Sequence, residues 1–326
     1  VKPWFNDSDV FQRLLESLVG KRVAVLGHIR PDGDCIGSQV AMTRVLRQQG
    51  VDAIAVNQHD VPQNCRSFLG DTPFFRYDAV DLNGYAFVSV DCADRSRLGK
   101  LVNASVDEIL INVDHHISNT LYAQHNFVHP EASAAAEILS GFFIDANIPL
   151  DPVTAQALYV GMATDTGQFR FGTTTQQVFD LCAALIRCGA SPAESARELY
   201  EREPITKIRL LQAFLNSLEF HCGGRVCIGS LTQKIWDETG AKKEETEGLV
   251  DYARCIEGVE IGVLIEENDG QVKGSFRAKD PIHRVDLLAQ KLNGGGHACA
   301  AGFNPKMSLS NTYERVVSIL TDHFSE

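Results

Sequence analysis

No stretch of this sequence is apolar for long enough to cross a bilayer. The best runs are under about ten residues, where a membrane helix needs about 20. No Cys-x-x-Cys pair occurs among the nine cysteines, at positions 35, 65, 92, 182, 188, 222, 227, 255 and 299. Their number is odd and their spacing irregular. Free thiols in a reducing cytoplasm are therefore expected, rather than a disulfide or zinc framework. Residues 1–9 are polar and acidic and lack the basic-then-apolar pattern of a signal peptide. Internal repeats and low-complexity segments are absent. Basic residues are in deficit, with 30 Lys and Arg against 42 Asp and Glu and a formal net charge of −12. That disfavours a protein that coats long nucleic acid, whose backbone demands a basic surface. A small anionic substrate stays open, because bound divalent cations reverse the field of a carboxylate-rich pocket.

What is present is ordinary globular material. The chain has 326 residues, 44% hydrophobic and 22% charged, about twice the size of one domain. The N-terminal part alternates predicted strands at 23–28, 52–56, 86–91 and 108–114 with predicted helices at 38–49, 133–146, 152–163 and 175–187. This alternation predicts an α/β fold, a largely parallel sheet with helices on both faces. Such sheets bind ligands at the carboxyl ends of their strands. Residues 191–220 read as a helical connector, with a long helix starting after Pro204 and running over 205–220. Predicted strands at 225–231, 259–266 and 271–278 then indicate a smaller α/β domain. The expected organisation is 1–190, a linker at 191–220, and 221–326.

Chemistry-bearing residues gather where that sheet rule wants them. His28 ends the first strand, and Asp32 and Asp34 follow in His28-Ile29-Arg30-Pro31-Asp32-Gly33-Asp34. Alone, this is also how an Asp-Gly turn with a capping aspartate looks; Gly33 is read as allowing the bend. Asp91 closes the apolar run 86–90, and Asp114-His115-His116 closes 109–113. Adjacent imidazoles beside a carboxylate at the mouth of a buried strand need partners or a metal. Asp165 lies where a helix meets a turn containing Gly167. Together these Asp and His side chains suit Mn²⁺, Mg²⁺ or Zn²⁺.

In this order and spacing, His28-x-x-x-Asp32-x-Asp34, Asp91, Asp114-His115-His116 and Asp165 resemble the four motifs of the DHH phosphoesterase superfamily. Gly294-Gly295-Gly296-His297, with Ala300-Ala301-Gly302 after it, resembles the signature of the associated DHHA1 domain. In length and domain content the chain is similar to the NrnA-type group of bifunctional oligoribonucleases (nanoRNases) and pAp phosphatases. The resemblance implies two divalent metal ions, manganese foremost. One would be held by His28, Asp32 and Asp91, the other by Asp34, Asp91, His115 and Asp165, with Asp91 bridging. It implies that His116 faces the substrate phosphate as acid or donor, that a metal-activated hydroxide attacks phosphorus, and that 1–190 is the catalytic domain. Arg97 matches a position read as a loop stabiliser. Cys35 stands where alanine is more usual, and its side chain is expected to follow the ligands rather than join them.

In the second domain, Gly294, Gly295, Gly296, His297 and Arg277 are the candidate substrate contacts. Glycine N–H groups let a phosphate approach closely, and a guanidinium fork suits a terminal phosphate. Phe276 reads as core. The expected substrates are short oligoribonucleotides and 3′-phosphoadenosine 5′-phosphate, with no long duplex and no membrane partner; the oligomeric state is left open, a homodimer being one option. A cyclic dinucleotide phosphodiesterase is the competing enzyme reading, and a non-catalytic nucleotide-binding protein the competing class. A manganese pyrophosphatase shares the first four motifs but not the Gly-Gly-Gly-His segment.

Overall fold

The computed structural model of the chain describes residues 3–325. It divides into two compact units, one ending at Arg202 and one beginning at Glu203. Among the described residues, no helix is long and apolar enough to cross a membrane.

The first unit is built on six strands: β1 (Arg22–Leu26), β2 (Asp52–Asn57), β3 (Phe74–Arg76), β4 (Tyr85–Val90), β5 (Ile111–Asp114) and β6 (His125–Val128). They lie in the order β3-β2-β1-β4-β5-β6, and every pairing is parallel. Both faces are buried, which explains the near-continuous apolar strand sequences. Val23 and Val25 of β1 join one apolar cluster, while Ala24 and Leu26 join another on the opposite face. Among the described residues, seven α-helices belong to this unit: α1 (Ser8–Glu16), α2 (Gly33–Gln48), α3 (Lys100–Ser105), α4 (Ala135–Asp145), α5 (Pro152–Asp165), α6 (Gln176–Arg187) and α7 (Pro192–Tyr200). Strand order reverses between β1 and β4, so the crevice at their carboxyl ends is the switch point where such sheets take ligands.

The second unit has a mixed six-stranded sheet. Its strands are β7 (Glu219–His221), β8 (Val226–Leu231), β9 (Ile261–Asn268), β10 (Gln271–Ala278), β11 (Gly295–His297) and β12 (Ala300–Phe303), in the order β11-β12-β10-β9-β8-β7. Only β8 and β9 pair in parallel. Phe276 is fully buried, its ring 4.7 Å from that of Phe303. Among the described residues, five α-helices accompany the sheet: α8 (Ile205–Asn216), α9 (Gln233–Thr239), α10 (Leu249–Arg254), α11 (Val285–Gln290) and α12 (Leu309–Ser325).

The connector expected over 191–220 is not a separate element. Helix α7 belongs to the first unit, whereas Leu210 and Phe214 of α8 are buried among Cys227, Leu231, Trp236 and Leu264 of the second. The long helix also stops early. The Ser217 hydroxyl accepts a 2.9 Å bond from the Ser230 N–H, tying the helix end to β8, and the chain leaves as β7. Short strands β3, β6, β11 and β12 escaped the sequence reading because three or four residues carry too little periodicity.

Candidate metal centre

Three strand ends deliver the first candidate ligands. His28 follows β1, Asp91 follows β4, and His115 follows β5. Asp91 takes a left-handed backbone (φ 51°), and its N–H donates to the Val113 carbonyl at 2.9 Å. This turn directs the carboxylate between the two imidazoles. Its Oδ2 lies 3.3 Å from His28 Nε2, and its Oδ1 lies 3.5 Å from His115 Nε2. His28 Nδ1 donates to the Ile29 carbonyl at 2.9 Å, which leaves Nε2 as the atom facing the cluster.

Asp32 caps α2, accepting a 3.1 Å bond from the Cys35 N–H, and its other oxygen lies 3.7 Å from His28 Nε2. The capping and ligand readings of this aspartate are thus compatible. Asp34, fully buried, accepts from the N–H groups of Ala135 (2.7 Å) and Ala136 (2.9 Å), the first residues of α4. A helix N-terminus therefore holds this carboxylate in place. Asp165 ends α5, with Oδ2 3.1 Å from His115 Nε2.

Close helix packing makes these meetings possible. A Cβ at Gly33 would lie 2.4 Å from the Thr164 side chain, one at Gly37 2.2 Å from the Ala157 carbonyl, and one at Gly161 2.7 Å from Asp34. Gly33 is thus required for the approach of α5. It is not among the residues of positive φ, so the bend first ascribed to it is not its role.

All six predicted ligands, His28, Asp32, Asp34, Asp91, His115 and Asp165, therefore converge. Asp34, His115 and Asp165 form one group with ligand atoms within 4.8 Å of one another, and His28, Cys35 and Asp91 form another. Cys35 does more than follow the ligands: its sulfur lies at the cluster, where burial pushes the thiol up to about 12. Asp91 Oδ1 and His115 Nε2 are buried without hydrogen-bond partners. Two such atoms aimed at each other are what a cation between them would satisfy, and the donor set fits a divalent ion.

Electrostatics agree. Burial, followed by the charges of Asp91 and Asp165, holds the Asp34 carboxyl well above its usual range. Burial, followed by Asp91 and Asp32, pushes Asp165 up to about 6, although His115 opposes it. Burial works against charge on His115, but Asp165 and Asp91 outweigh it and raise the imidazole to about 11. The same contest at His28, with Asp32 and Asp91 as partners, ends with the imidazole raised. Protons thus sit where cations would.

His116 adjoins the six: its Nδ1 lies 3.6 Å from Asp91 Oδ1, and with Asp91, Asp114 and His115 it forms a third group of closely spaced ligand atoms. Its Nδ1 is 2.7 Å from Asp114 Oδ1, and Asp114 Oδ2 accepts from Asn119 at 2.6 Å. Asn119 donates also to Asn112 Oδ1 at 2.8 Å. Asp114, fully buried, is thus the orienter of His116. Sequence reading missed this network; a run of polar residues at 112, 114 and 119 around a buried strand end was the available signal. Arg97 also reaches the site, with Nη1 3.4 Å from His116 Nε2, so it is more than the loop stabiliser expected.

In the second unit the glycine run is an edge strand rather than an open loop. Gly295 pairs with Gly302, Gly296 with Ala301 and His297 with Ala300, while Ala300 also faces Arg277. Directly opposed residues point to the same side of a sheet, so Arg277, Ala300 and His297 share one face. Gly294 and Gly296 are needed for packing: a Cβ would lie 2.1 Å from the Gly302 carbonyl and 2.4 Å from the Ala300 carbonyl, respectively. Gly295 has open space around it, and with His297 it is exposed.

Comparison with known proteins follows the same division. Residues 22–162 match the DHH family, N-terminal domain, and residues 223–325 match the DHHA1 domain. The chain is 30% identical over 305 residues (93% of this chain, 90% of the relative) to the bifunctional oligoribonuclease and PAP phosphatase NrnA of Thermus thermophilus. It is 28% identical over 285 residues (84% and 86%) to the protein of that name from Bacillus subtilis. An exopolyphosphatase-related protein from Bacteroides fragilis has a similar fold, with TM-score 0.85 and 22% identity, covering 98% of this chain and 97% of that one.

Proposed function

The chain belongs to the DHH family, in company with the NrnA proteins, and from that membership we propose that it hydrolyses short oligoribonucleotides and 3′-phosphoadenosine 5′-phosphate. The observation that carries the reading is Asp91, whose two oxygens diverge toward His28 and His115 and so suit a carboxylate shared by two ions. His28, Asp32 and Asp91 would hold one divalent ion, and Asp34, Asp91, His115 and Asp165 the other, with manganese the first choice for such Asp and His donors. When bound, ions there supply Lewis acidity toward phosphoryl oxygens and lower the pKa of water.

The rest falls to the chain's own side chains. Asp114 accepts a hydrogen bond from His116 Nδ1–H and fixes its ring, so that Nε2 is the working atom. Arg97 Nη1 donates to His116 Nε2 across 3.4 Å, and the two become a pair of donors when Nε2 carries a proton. A non-bridging phosphate oxygen between them would satisfy both, and His116 can pass its proton to the leaving oxygen. His116→Ala is expected to keep the metal content of the wild type, because no shared ligand is lost, yet to lower kcat by about 10²-fold or more. Metal analysis alongside single-turnover kinetics checks this, and full turnover would remove His116 from the reaction.

Arg277, Gly294, Gly295, Gly296 and His297 serve in this reading as substrate contacts of the second unit. Arg277→Ala should raise KM for short RNA at least about tenfold while leaving an activated small phosphodiester unaffected. Equal losses on both would mark the arginine as structural. The nine free cysteines favour a reducing cytoplasmic setting. The decisive experiment is a substrate panel with added manganese: RNAs of two to five residues, 3′-phosphoadenosine 5′-phosphate, and cyclic dinucleotides. Turnover confined to the cyclic compounds would overturn the proposal.

A further inference from the structure

On its His28 side the metal centre contains a donor that the ligand sets above leave out. A ring nitrogen of His28, the Cys35 sulfur and an Asp91 oxygen all lie within 4.8 Å of one another, and all three residues are buried. Asp32 is not in that compact group, and its side chain is 58% exposed. One imidazole, one carboxylate and one sulfur thus meet here out of reach of water.

The backbone presents the sulfur to this group. Cys35 lies in the first turn of α2, one residue after Asp34, and its N–H donates to Asp32 Oδ1 at 3.1 Å. Gly27, which precedes His28, clears the space: a Cβ there would lie 2.4 Å from Cys35 Sγ. The thiol donates to Gln39 Oε1 at 3.8 Å, a weak bond that holds the sulfur loosely. Gln39 is itself fixed, since its Nε2 donates to the Val25 carbonyl at 2.8 Å. An independent observation points to a cation here. Asp91 is 2% exposed, and its Oδ1 has no hydrogen-bond partner. A buried carboxylate left in that condition calls for a positive neighbour.

Resting on the two-ion reading above, we propose that Cys35 Sγ is a ligand of the ion held by His28 and Asp91, and that it turns this position toward thiophilic ions such as zinc, cobalt and cadmium. Imidazole and carboxylate accept these ions and manganese alike, whereas a thiolate selects the softer ones. Binding exchanges the thiol proton, released to solvent, for the ion, and the bond to Gln39 is given up. The other group, Asp34, His115 and Asp165, includes no sulfur and keeps the preference of hard donors. The two positions therefore differ in the metals they favour.

The test uses the full chain, reduced and stripped of metal, with cobalt(II), cadmium, zinc and manganese as probes. Cobalt should give the wild type a near-ultraviolet sulfur-to-metal charge-transfer band. The band should vanish in Cys35→Ala and in Cys35→Ser, whose hydroxyl keeps a partner for Gln39. Cys35→Ala should weaken cadmium binding at least about tenfold, the loss that even an outer partner of a ligand causes. Manganese binding should change much less. X-ray absorption of the zinc-loaded wild type needs no variant and should place a sulfur at about 2.3 Å from zinc. Cobalt bound without the charge-transfer band would overturn the inference and leave the metal centre standing. So would a band that survives both substitutions, equal losses of cadmium and manganese, or a zinc shell of nitrogen and oxygen alone. A wild type that binds none of the four ions would instead remove the metal centre on which the inference depends.

Discussion

Asp91→Asn is expected to lower turnover of a short RNA by on the order of 10³-fold while the protein remains folded. Asparagine keeps the shape of the side chain and is among the residues that tolerate a left-handed backbone, which Asp91 adopts with φ 51°. What it removes is one charged oxygen. The two Asp91 oxygens face different imidazoles, Oδ2 at 3.3 Å from His28 Nε2 and Oδ1 at 3.5 Å from His115 Nε2, so no neutral amide serves both sides. Ion content measured by mass spectrometry should fall with kcat. An alanine at this position would mix the chemical loss with backbone strain and is the poorer test. A folded Asp91→Asn protein that retains wild-type ions and turnover would show that this carboxylate is not shared.

Stripping the ions with a chelator is expected to lower the melting temperature by about 5–10 °C at neutral pH, and the gap should widen as pH rises. The direction follows from the raised groups. Asp165 moves from 3.8 to about 6 on folding, and His115 from 6.5 to about 11. Each holds a proton in the folded protein that the unfolded chain has already released. The stability this gives the metal-free protein is complete below 3.8 for Asp165 and below 6.5 for His115, and is lost as pH climbs through about 6 and about 11. Ions compete for the same positions, so their affinity increases with pH, by up to about tenfold per unit for each proton displaced. Melting curves from about pH 5 to 9, with chelator and with saturating manganese, should therefore diverge. Parallel curves would mean that the cluster exchanges no protons for metal.

Some of this was readable from the chain alone. His28, Asp91 and His115 announce themselves because each polar group follows an apolar strand, and strand alternation with helices dictates a parallel sheet whose carboxyl edge binds ligands. Asp32 and Asp34 were visible through their spacing around Gly33, although the reason for that glycine was not. Its close contact is with Thr164, which lies more than a hundred residues along the chain. The same holds for Asp34, which is pinned by the N-terminus of α4, and for Arg97 beside His116.

The sequence by itself determined the residue types, their order and the strands they terminate, because hydrophobic period and side-chain chemistry are properties of short segments. Only the tertiary structure decided which carboxylate orients His116, which faces both His28 and His115, and which accepts from the N-terminus of a distant helix. It also decided that 191–220 divides between two cores rather than standing as a connector. Those assignments depend on packing distances between segments far apart in the chain, and a difference of one methyl group at Gly33 or Gly161 would change them.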